Sequence, residues 1–600
     1  MEKTYQIDPS PNSRIVRSAI DEVKAIQTLL ADSYKDLGDG RTLLRELVQN
    51  ADDAAAERLV FSVVETGLPD AQNSLLRGPA LLVANSGPFP ARDRNALHQA
   101  LGGSKAEDAD KVGRFGIGLK SVFHICEAIV YVGADEDTIR PGALNPWAGT
   151  GASGDVDPLH PDWDSVGDTD LQYLLAAARK LLGEFRNGLL LWIPLRQPIH
   201  LDRAQGRQYG LGQACPITDS IVAWFKRSTS LALLLAQCGH IASIEAYYAQ
   251  NITSLDKRER LVRVVRPEFQ SLCWVGRYEN DVDEVEKSFE GRIEDDNRGW
   301  TALGVEALGL DSLRRLRIES EWPTELCWQN GKCEWVPCKA LSHAAITILQ
   351  PDDLPPDQCG INLRWAVFLP LDDDPIPRQS SVVESVGNNR EPGTWEIMMH
   401  GYFWPSHDRR SIPGVSDNEI GSGDSAARIR WNRAVRDELL LPLLPKALEH
   451  AVKGIPESAA RSMLQVITGS QIVRGHLSDI TRLNVLLPTI AENGVSWVVH
   501  PTGESHNLSI PAWNDAPGSV RAQFLSKVRT LTNGFKFIDG DAPKIGGEEG
   551  EWPLESIRCI LECISSNELG TSSVLSWIEI LLSKLLSSRE DTSNDRASVV

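Results

Sequence analysis

Residues 43–53, LLRELVQNADD, and residues 111–127, KVGRFGIGLKSVFHICE, decide how this chain is read. In the first stretch Leu43, Leu44, Leu47, Val48 and Ala51 recur at helical spacing and mark a face to be buried. Glu46, Asn50 and Asp53 follow one another at intervals of four and three, so they form a second line along the same helix. A carboxylate, an amide and a second carboxylate in one line suit a hydrated magnesium ion and an attacking water. The carboxylate can take a proton from the water, and the amide oxygen is a hard ligand for the metal. In the second stretch Gly113, Gly116 and Gly118 precede a run, 119–126, that is expected to be helical. Glycines there let the backbone approach phosphate oxygens, and the free N–H groups of the following helix face the anion.

Each piece alone is common. A helix carrying Glu, Asn and Asp is more often one with a solvated face, and glycine triplets often precede helices. A third element lies between them: residues 80–89, ALLVANSGPF, a short apolar strand running into Asn85 and Gly87. This order resembles that of the GHKL (Bergerat-fold) ATPases, which include gyrase, the dimeric heat-shock chaperones, histidine kinases and the mismatch-repair family. The wording ELVQNADDA, followed by GGSKAEDADKVGRFGIGLKSVFH, is similar to the sacsin branch.

The resemblance implies an N-terminal Bergerat α/β sandwich that binds ATP with Mg2+. It implies Glu46 as general base and Asn50 as metal ligand. The nucleotide would be bound by Asn50, Asp53, Asn85, Gly87, Ser104, Lys105, Gly113, Arg114, Phe115, Gly116, Ile117 and Gly118. Residues 88–110, otherwise an ordinary surface loop, become the mobile cover of the site. Two departures are visible. Leu189 stands where the resembled families often have a threonine, and Asn85 where most have an aspartate that accepts from adenine. An asparagine carbonyl can accept the same bond without charge, and the sacsin branch commonly carries Asn there.

Six hundred residues are too many for one hydrophobic core. The expected class is α+β multidomain: an ATP-binding domain over 1–196, a mixed α+β middle domain over 197–424 and a mainly helical region with a polar tail over 425–600. A 42% hydrophobic and 24% charged composition is that of a globular protein. The formal net charge of −21 disfavours a surface built to wrap nucleic acid. The longest apolar stretch, 231–238, is too short to span a bilayer, and the opening MEKTYQIDPSPNS lacks an apolar signal core, so a cytoplasmic location is expected. The ten cysteines show no paired metal spacing and read as reduced core thiols.

Along the chain, helices are expected over 13–30, 171–182 and 217–237, and strands over 59–64, 81–84, 128–132 and 188–195. Residues 133–170, rich in Gly, Pro and Asp, read as a long loop. Strands follow at 241–248 and 261–265, with a hairpin at 326–335 turning on Asn330–Gly331. Nine of the seventeen tryptophans lie between Trp274 and Trp431 and read as packed core rather than a base-stacking surface. Residues 363–371, 395–410 and Trp431–Asn432 are similar to the blocks that follow the ATPase domain in sacsin-type repeats. Helices are expected again over 426–452, 456–473, 554–565 and 572–587, with strands between 485 and 499 and at 535–537.

Two function classes follow. One is an ATP-hydrolysing conformational machine of chaperone-like type, with protein clients and nucleotide-dependent self-association as partners. The other is a nucleotide-binding scaffold that hydrolyses little. Retention of Glu46 favours the first. The related heat-shock chaperones supply an arginine to the γ-phosphate from the domain after the ATPase, which makes Arg409 and Arg410 candidates here, against the plainer reading of two surface arginines. No histidine precedes Glu46, so a histidine-kinase reading lacks its phosphoacceptor.

Overall fold

The computed structural model describes, with short interruptions, residues 40–97, 118–147, 161–197, 211–267, 285–308, 343–352, 360–370, 394–404 and 424–440. It also describes the strands 324–329 and 332–337 and isolated residues elsewhere. The architecture is mixed α+β around one large sheet. In chain order the first elements are β1 (Gln6–Ile7), helix α1 (Arg41–Asp53), β2 (Arg58–Thr66), β3 (Ala80–Asn85) and helix α2 (Ala91–Leu97). A 3-10 helix, Gly118–His124, precedes β4 (Ile129–Asp135) and β5 (Thr138–Leu144). Helix α3 (Asp168–Leu182), β6 (Gly188–Pro194), α4 (Thr218–Trp224) and α5 (Ser228–Ala236) follow. Then come β7 (Ser243–Asn251), β8 (Glu259–Val265), β9 (Val285–Asp295), β10 (Gly299–Leu308), β11 (Thr324–Gln329) and β12 (Lys332–Pro337). The last large elements are β13 (His343–Pro351), β14 (Gly360–Val367), β15 (Leu369–Pro370), β16 (Thr394–Gly401) and helix α6 (Asp424–Ala434).

Fourteen strands form the sheet, in the order β1-β5-β4-β6-β3-β2-β7-β8-β9-β10-β13-β16-β14-β15. Residues 59–64, 80–85 and 129–134 are buried at every position. Strands without a wet face need cover on both sides, and α3 supplies part of it by packing against β2, β3 and β4. Strands on both sides of residue 197 share the sheet. β7 lies parallel to β2, in a register that pairs Leu59 with Ile244 and Val63 with Tyr248.

The strands expected at 59–64, 81–84, 128–132, 188–195, 241–248 and 261–265 are present with modest shifts of their ends. So is the hairpin, where Gln329 pairs with Lys332 across two residues. Val23, Ile26, Gln27 and Leu30, the described residues of the first expected helix, are helical. Three expectations are corrected. The loop read over 133–170 contains β5, which pairs antiparallel with β4. Its Pro141 and Gly142 look like turn signals, but a Cβ on Gly142 would stand 2.4 Å from the Tyr131 hydroxyl, so glycine there admits the phenol. The single helix read over 217–237 is two helices, broken where buried Phe225 packs on Phe61 with ring centroids 5.2 Å apart. The helix begun at α6 passes into a π-helical turn over Val435–Leu440.

Trp300, Trp395, Trp404 and Trp431 are buried. The blocks at 395–404 and 431–432 are stitched together: Trp431 Nε1 donates to the Tyr402 carbonyl at 2.8 Å, and Asn432 Oδ1 accepts from Trp404 N at 2.7 Å. Beyond α6, Leu443, Ala447 and Glu579 are helical, and Ile490–Ala491 pairs with Gly494–Val495. The helices expected over 456–473 and 554–565, the strand at 535–537 and the polar tail lie outside the described residues, as do the other residues of the helix at 572–587.

Candidate functional site

The site is built on α1. Gly40 caps the helix, and Leu43, Leu44, Leu47, Val48 and Ala51 are buried, as their spacing predicts. The helix ends in a reversal in which Ala56 N returns to the Ala51 carbonyl at 3.0 Å and Ala55 takes a left-handed backbone, φ 55°. α1 packs against the 3-10 helix Gly118–His124. That contact brings the acid–amide line beside the run that follows the glycine-rich stretch. The run was expected to be a helix over 119–126 and winds instead as a 3-10 helix that begins at Gly118.

Glu46 is buried, with Arg45 Nη2 at 3.7 Å from its Oε1. Asn50 is half-buried, and its side-chain nitrogen is enclosed without a hydrogen-bond partner among the described residues. A buried unsatisfied amide is costly, so the group fits a ligand or water that would accept from it or, with the amide turned, a cation on its oxygen. Asp53 is half-buried at the end of the helix. Across from α1, β3 ends at Asn85, whose Oδ1 accepts from Gly87 N at 3.1 Å. One lone pair of that carbonyl is therefore engaged locally. Ser86 Oγ accepts from the backbone N–H groups of Glu57 and Arg58, both at 3.0 Å, which fixes the strand end to the start of β2.

The hard oxygen donors Glu46, Asn50 and Asp53, with a glycine-rich stretch following a strand end, fit magnesium and a nucleotide phosphate chain. The expected contacts Ser104, Lys105, Gly113, Arg114, Phe115, Gly116 and Ile117, and the candidate arginines Arg409 and Arg410, lie outside the described residues. Within the expected cover, residues 91–97 form α2. Leu189 is on β6 opposite Asn85, where it adds no hydroxyl to the strand end.

Spacing did not point to several residues that shape the site. Arg45 precedes Glu46 directly, and neighbours in sequence do not face each other along a helix. Lys120 is buried two positions beyond Gly118 and brings a cation next to the glycine-rich stretch; a lysine in that place was the available signal. The 3-10 helix is held from its far end by Arg196, fully buried at the end of β6. Its guanidinium donates to the carbonyls of Phe123, His124, Cys126 and Ala214 and pairs with Glu127. Glu127 also accepts from Trp147 Nε1 at 3.0 Å and from Leu211 N at 3.1 Å. Burial raises the Glu127 carboxyl, opposed by Arg196 and these donors. Burial, and secondarily the charge of Arg196, pushes His124 down to about 4. Cys126, Cys215 and Cys238 are free thiols, and burial raises all three. Among the described residues no cluster of His, Cys, Asp and Glu has the makings of a separate metal site, and no helix is long and apolar enough to cross a membrane.

The residues that carry the acid–amide helix and the strand end at Asn85 are similar to those of the heat-shock-chaperone-like GHKL class. Within that class the likeness is to the sacsin type: residues 22–139 match the family model of the Sacsin domain. The chain is 35% identical to human sacsin over 116 residues, which are 18% of this chain and 2% of sacsin. It is 26% identical to the chaperone protein HtpG of Serratia proteamaculans (strain 568) over 179 residues, 26% of this chain and 25% of that protein. The similarity thus spans a small part of either relative's length.

Proposed function

We propose that residues 40–195 bind Mg–ATP and hydrolyse it slowly, and that the chain uses the cycle as a chaperone-like conformational machine. The observation that carries this reading is the packing of α1 on the 3-10 helix, with the enclosed side-chain nitrogen of Asn50 on α1 without a hydrogen-bond partner among the described residues. Glu46 is the general base: a buried carboxylate that accepts a proton from the attacking water. Asn50 supplies the metal-binding oxygen, and Asp53 holds water at the outer edge of the site. Asn85 and Gly87 meet the base, while residues 113–118 meet the phosphates through backbone N–H groups. Mg2+, held by Asn50, would supply charge neutralisation at the phosphates.

Likeness to sacsin and HtpG supports a chaperone-like use with protein clients; nucleotide-dependent self-association and a cytoplasmic setting belong to the same proposal. The finer reading assigns residues 88–110, with Ser104 and Lys105, to the lid. It assigns 197–424 to a middle domain that docks on 1–196 and presents Arg409 or Arg410, and 425–600 to the mainly helical remainder. The test is calorimetric titration of the full chain with ATP, with and without Mg2+. Wild type should bind, and Asn50→Ala should lose most of the affinity. Wild-type affinity in Asn50→Ala would refute the metal assignment.

A further inference from the structure

The last turn of α1 carries Asn50, Asp52 and Asp53, and it has no basic residue. Carboxylates at a helix C-terminus face the negative end of the dipole, so this turn is electrostatically disfavoured unless donors compensate it. The compensation comes from far along the chain. Asp52 accepts three backbone N–H groups from the turn that leads into β7: Gly239 at 2.9 Å, His240 at 2.7 Å and Ile241 at 3.1 Å. The His240 ring stands 3.9 Å from the same carboxylate. On its carbonyl side the turn is gripped by buried Arg266, whose guanidinium donates to Cys238 O at 2.7 Å and to Ile241 O. Arg266 directly follows β8, and Arg266 N donates to Ala242 O at 2.8 Å. Beneath the turn, Ala242 N and Ser243 N both donate to Glu57 O, at 2.7 and 3.1 Å.

The turn at 238–242 is therefore fixed from both sides, and its N–H groups close on the helix turn that holds Asn50. Backbone donors fixed in this way present an anion-binding concavity, and Asp52 fills it. Asp52 lies two residues beyond Asn50, on a different line of the helix from Glu46, Asn50 and Asp53, so it does not face the proposed metal. It acts on the Asn50 turn from behind.

We infer that Asp52 is a positioning residue for the nucleotide site: through the turn 239–241 it sets the metal-binding end of α1 and couples it to the β7–β8 pair. This inference rests on the proposed Mg–ATP reading. Coupling of this kind is reciprocal, so occupancy of the site should tighten the turn as much as the turn tightens the site.

The experiment uses the full chain, as wild type, Asp52→Ala and Asp52→Asn. ATP binding is titrated with and without Mg2+, and amide hydrogen exchange of 239–241 is followed with and without Mg–ATP. Wild type should gain protection at these amides on binding. Asp52→Ala should lose that gain and bind Mg–ATP about tenfold or more weakly, while Mg-free ATP affinity changes much less. A merely structural role would lower thermal stability without separating the two affinities. Asp52→Asn keeps the shape and one accepting oxygen, and should fall between wild type and Asp52→Ala. It also decides the matter if Asp52→Ala does not fold. Unchanged Mg–ATP affinity in the folded variants, or no gain of protection in wild type that binds, overturns the inference. Wild type that binds no ATP overturns the nucleotide reading itself, which the wild-type titration shows separately.

Discussion

Gly87 lies against the carbonyl of Ala54 so closely that a Cβ would stand 2.4 Å from the Ala54 oxygen and 2.9 Å from its Cβ. The end of β3 and the end of α1 thus touch backbone to backbone, with Asn50 four residues before the contact. A methyl group has nowhere to go without moving one chain. Gly87→Ala should cost about 1–3 kcal/mol, the usual range for overpacking. It should also weaken nucleotide binding, because relief of the clash displaces the Asn50 turn or the Asn85–Gly87 hydrogen bond. Denaturant midpoint and ATP titration on the same preparation check both. A variant as stable as wild type would show that the two ends separate easily.

Glu46 separates binding from chemistry. Its carboxylate is buried beside Arg45, so truncation to alanine would leave a buried cation with a lost neighbour and confuse stability with catalysis. Glu46→Gln keeps the volume and removes the base. Turnover should fall about a hundred- to ten-thousand-fold, with ATP affinity within a few-fold of wild type. Unchanged turnover in a preparation free of contaminating ATPase would remove Glu46 from the mechanism.

Three buried histidines should make the fold acid-sensitive. Burial lowers His343 to about 3 and His400 well below its ordinary value, and His124 lies at about 4. The rings of His343 and His400 lie tilted with centroids 5.3 Å apart on neighbouring strands, with Glu306 3.4 Å from His343. Below pH 6.5 the unfolded chain takes up protons at these positions and the folded chain does not. Stability is therefore fully present above 6.5 and is lost as pH falls from there toward 4. Each such histidine removes up to about 1.4 kcal/mol per pH unit in that window. Unfolding free energies at pH 6.5, 5.5 and 4.5 should show a slope that His343→Asn reduces by close to one proton. An identical slope in that variant would mean that His343 titrates normally.

What the sequence made legible follows from how each feature is encoded. The α1 pattern, the β3 run and the GLLLWIP strand have side chains that declare their period or their apolar length, and they lie where expected. β5 was hidden because Pro141 and Gly142 read as turn signals, whereas Gly142 makes room for Tyr131 within the strand. The break between α4 and α5 was hidden because both helices are apolar and Phe225 reads as a continuation of the run. At the candidate site, Glu46, Asn50, Asp53 and Asn85 could be named as candidates because they sit within short motifs. Arg196 and Asp52 could not. Most of their partners are backbone groups, such as Phe123 O for Arg196 and Gly239 N for Asp52, separated by 73 and 187 residues, and backbone partners leave no trace in side-chain pattern.

Asn432 bears on the proposed catalytic arginines. Its Oδ1 accepts from Trp404 N, and its Nδ2 donates to Trp404 O at 2.9 Å and Pro413 O at 2.8 Å. One buried amide on α6 therefore ties the residues flanking 405–412, the stretch that contains Arg409 and Arg410. The outer side of a transferred γ-phosphate gains charge that a cation stabilises, and a stretch whose flanks are tied could deliver one at little entropic cost. If it does, Arg409→Ala or Arg410→Ala should slow single-turnover hydrolysis by about a thousandfold or more while ATP affinity stays near wild type. Asn432→Ala, which unties both flanks without touching either arginine, should slow the same step by a smaller factor and lose stability of about 1–3 kcal/mol. Single-turnover rates and protease protection with bound ATP, measured across all three variants, check the proposal. Normal rates in both arginine variants would leave residues 197–424 without a catalytic group, and Lys105 of the proposed lid would be the next cation to replace.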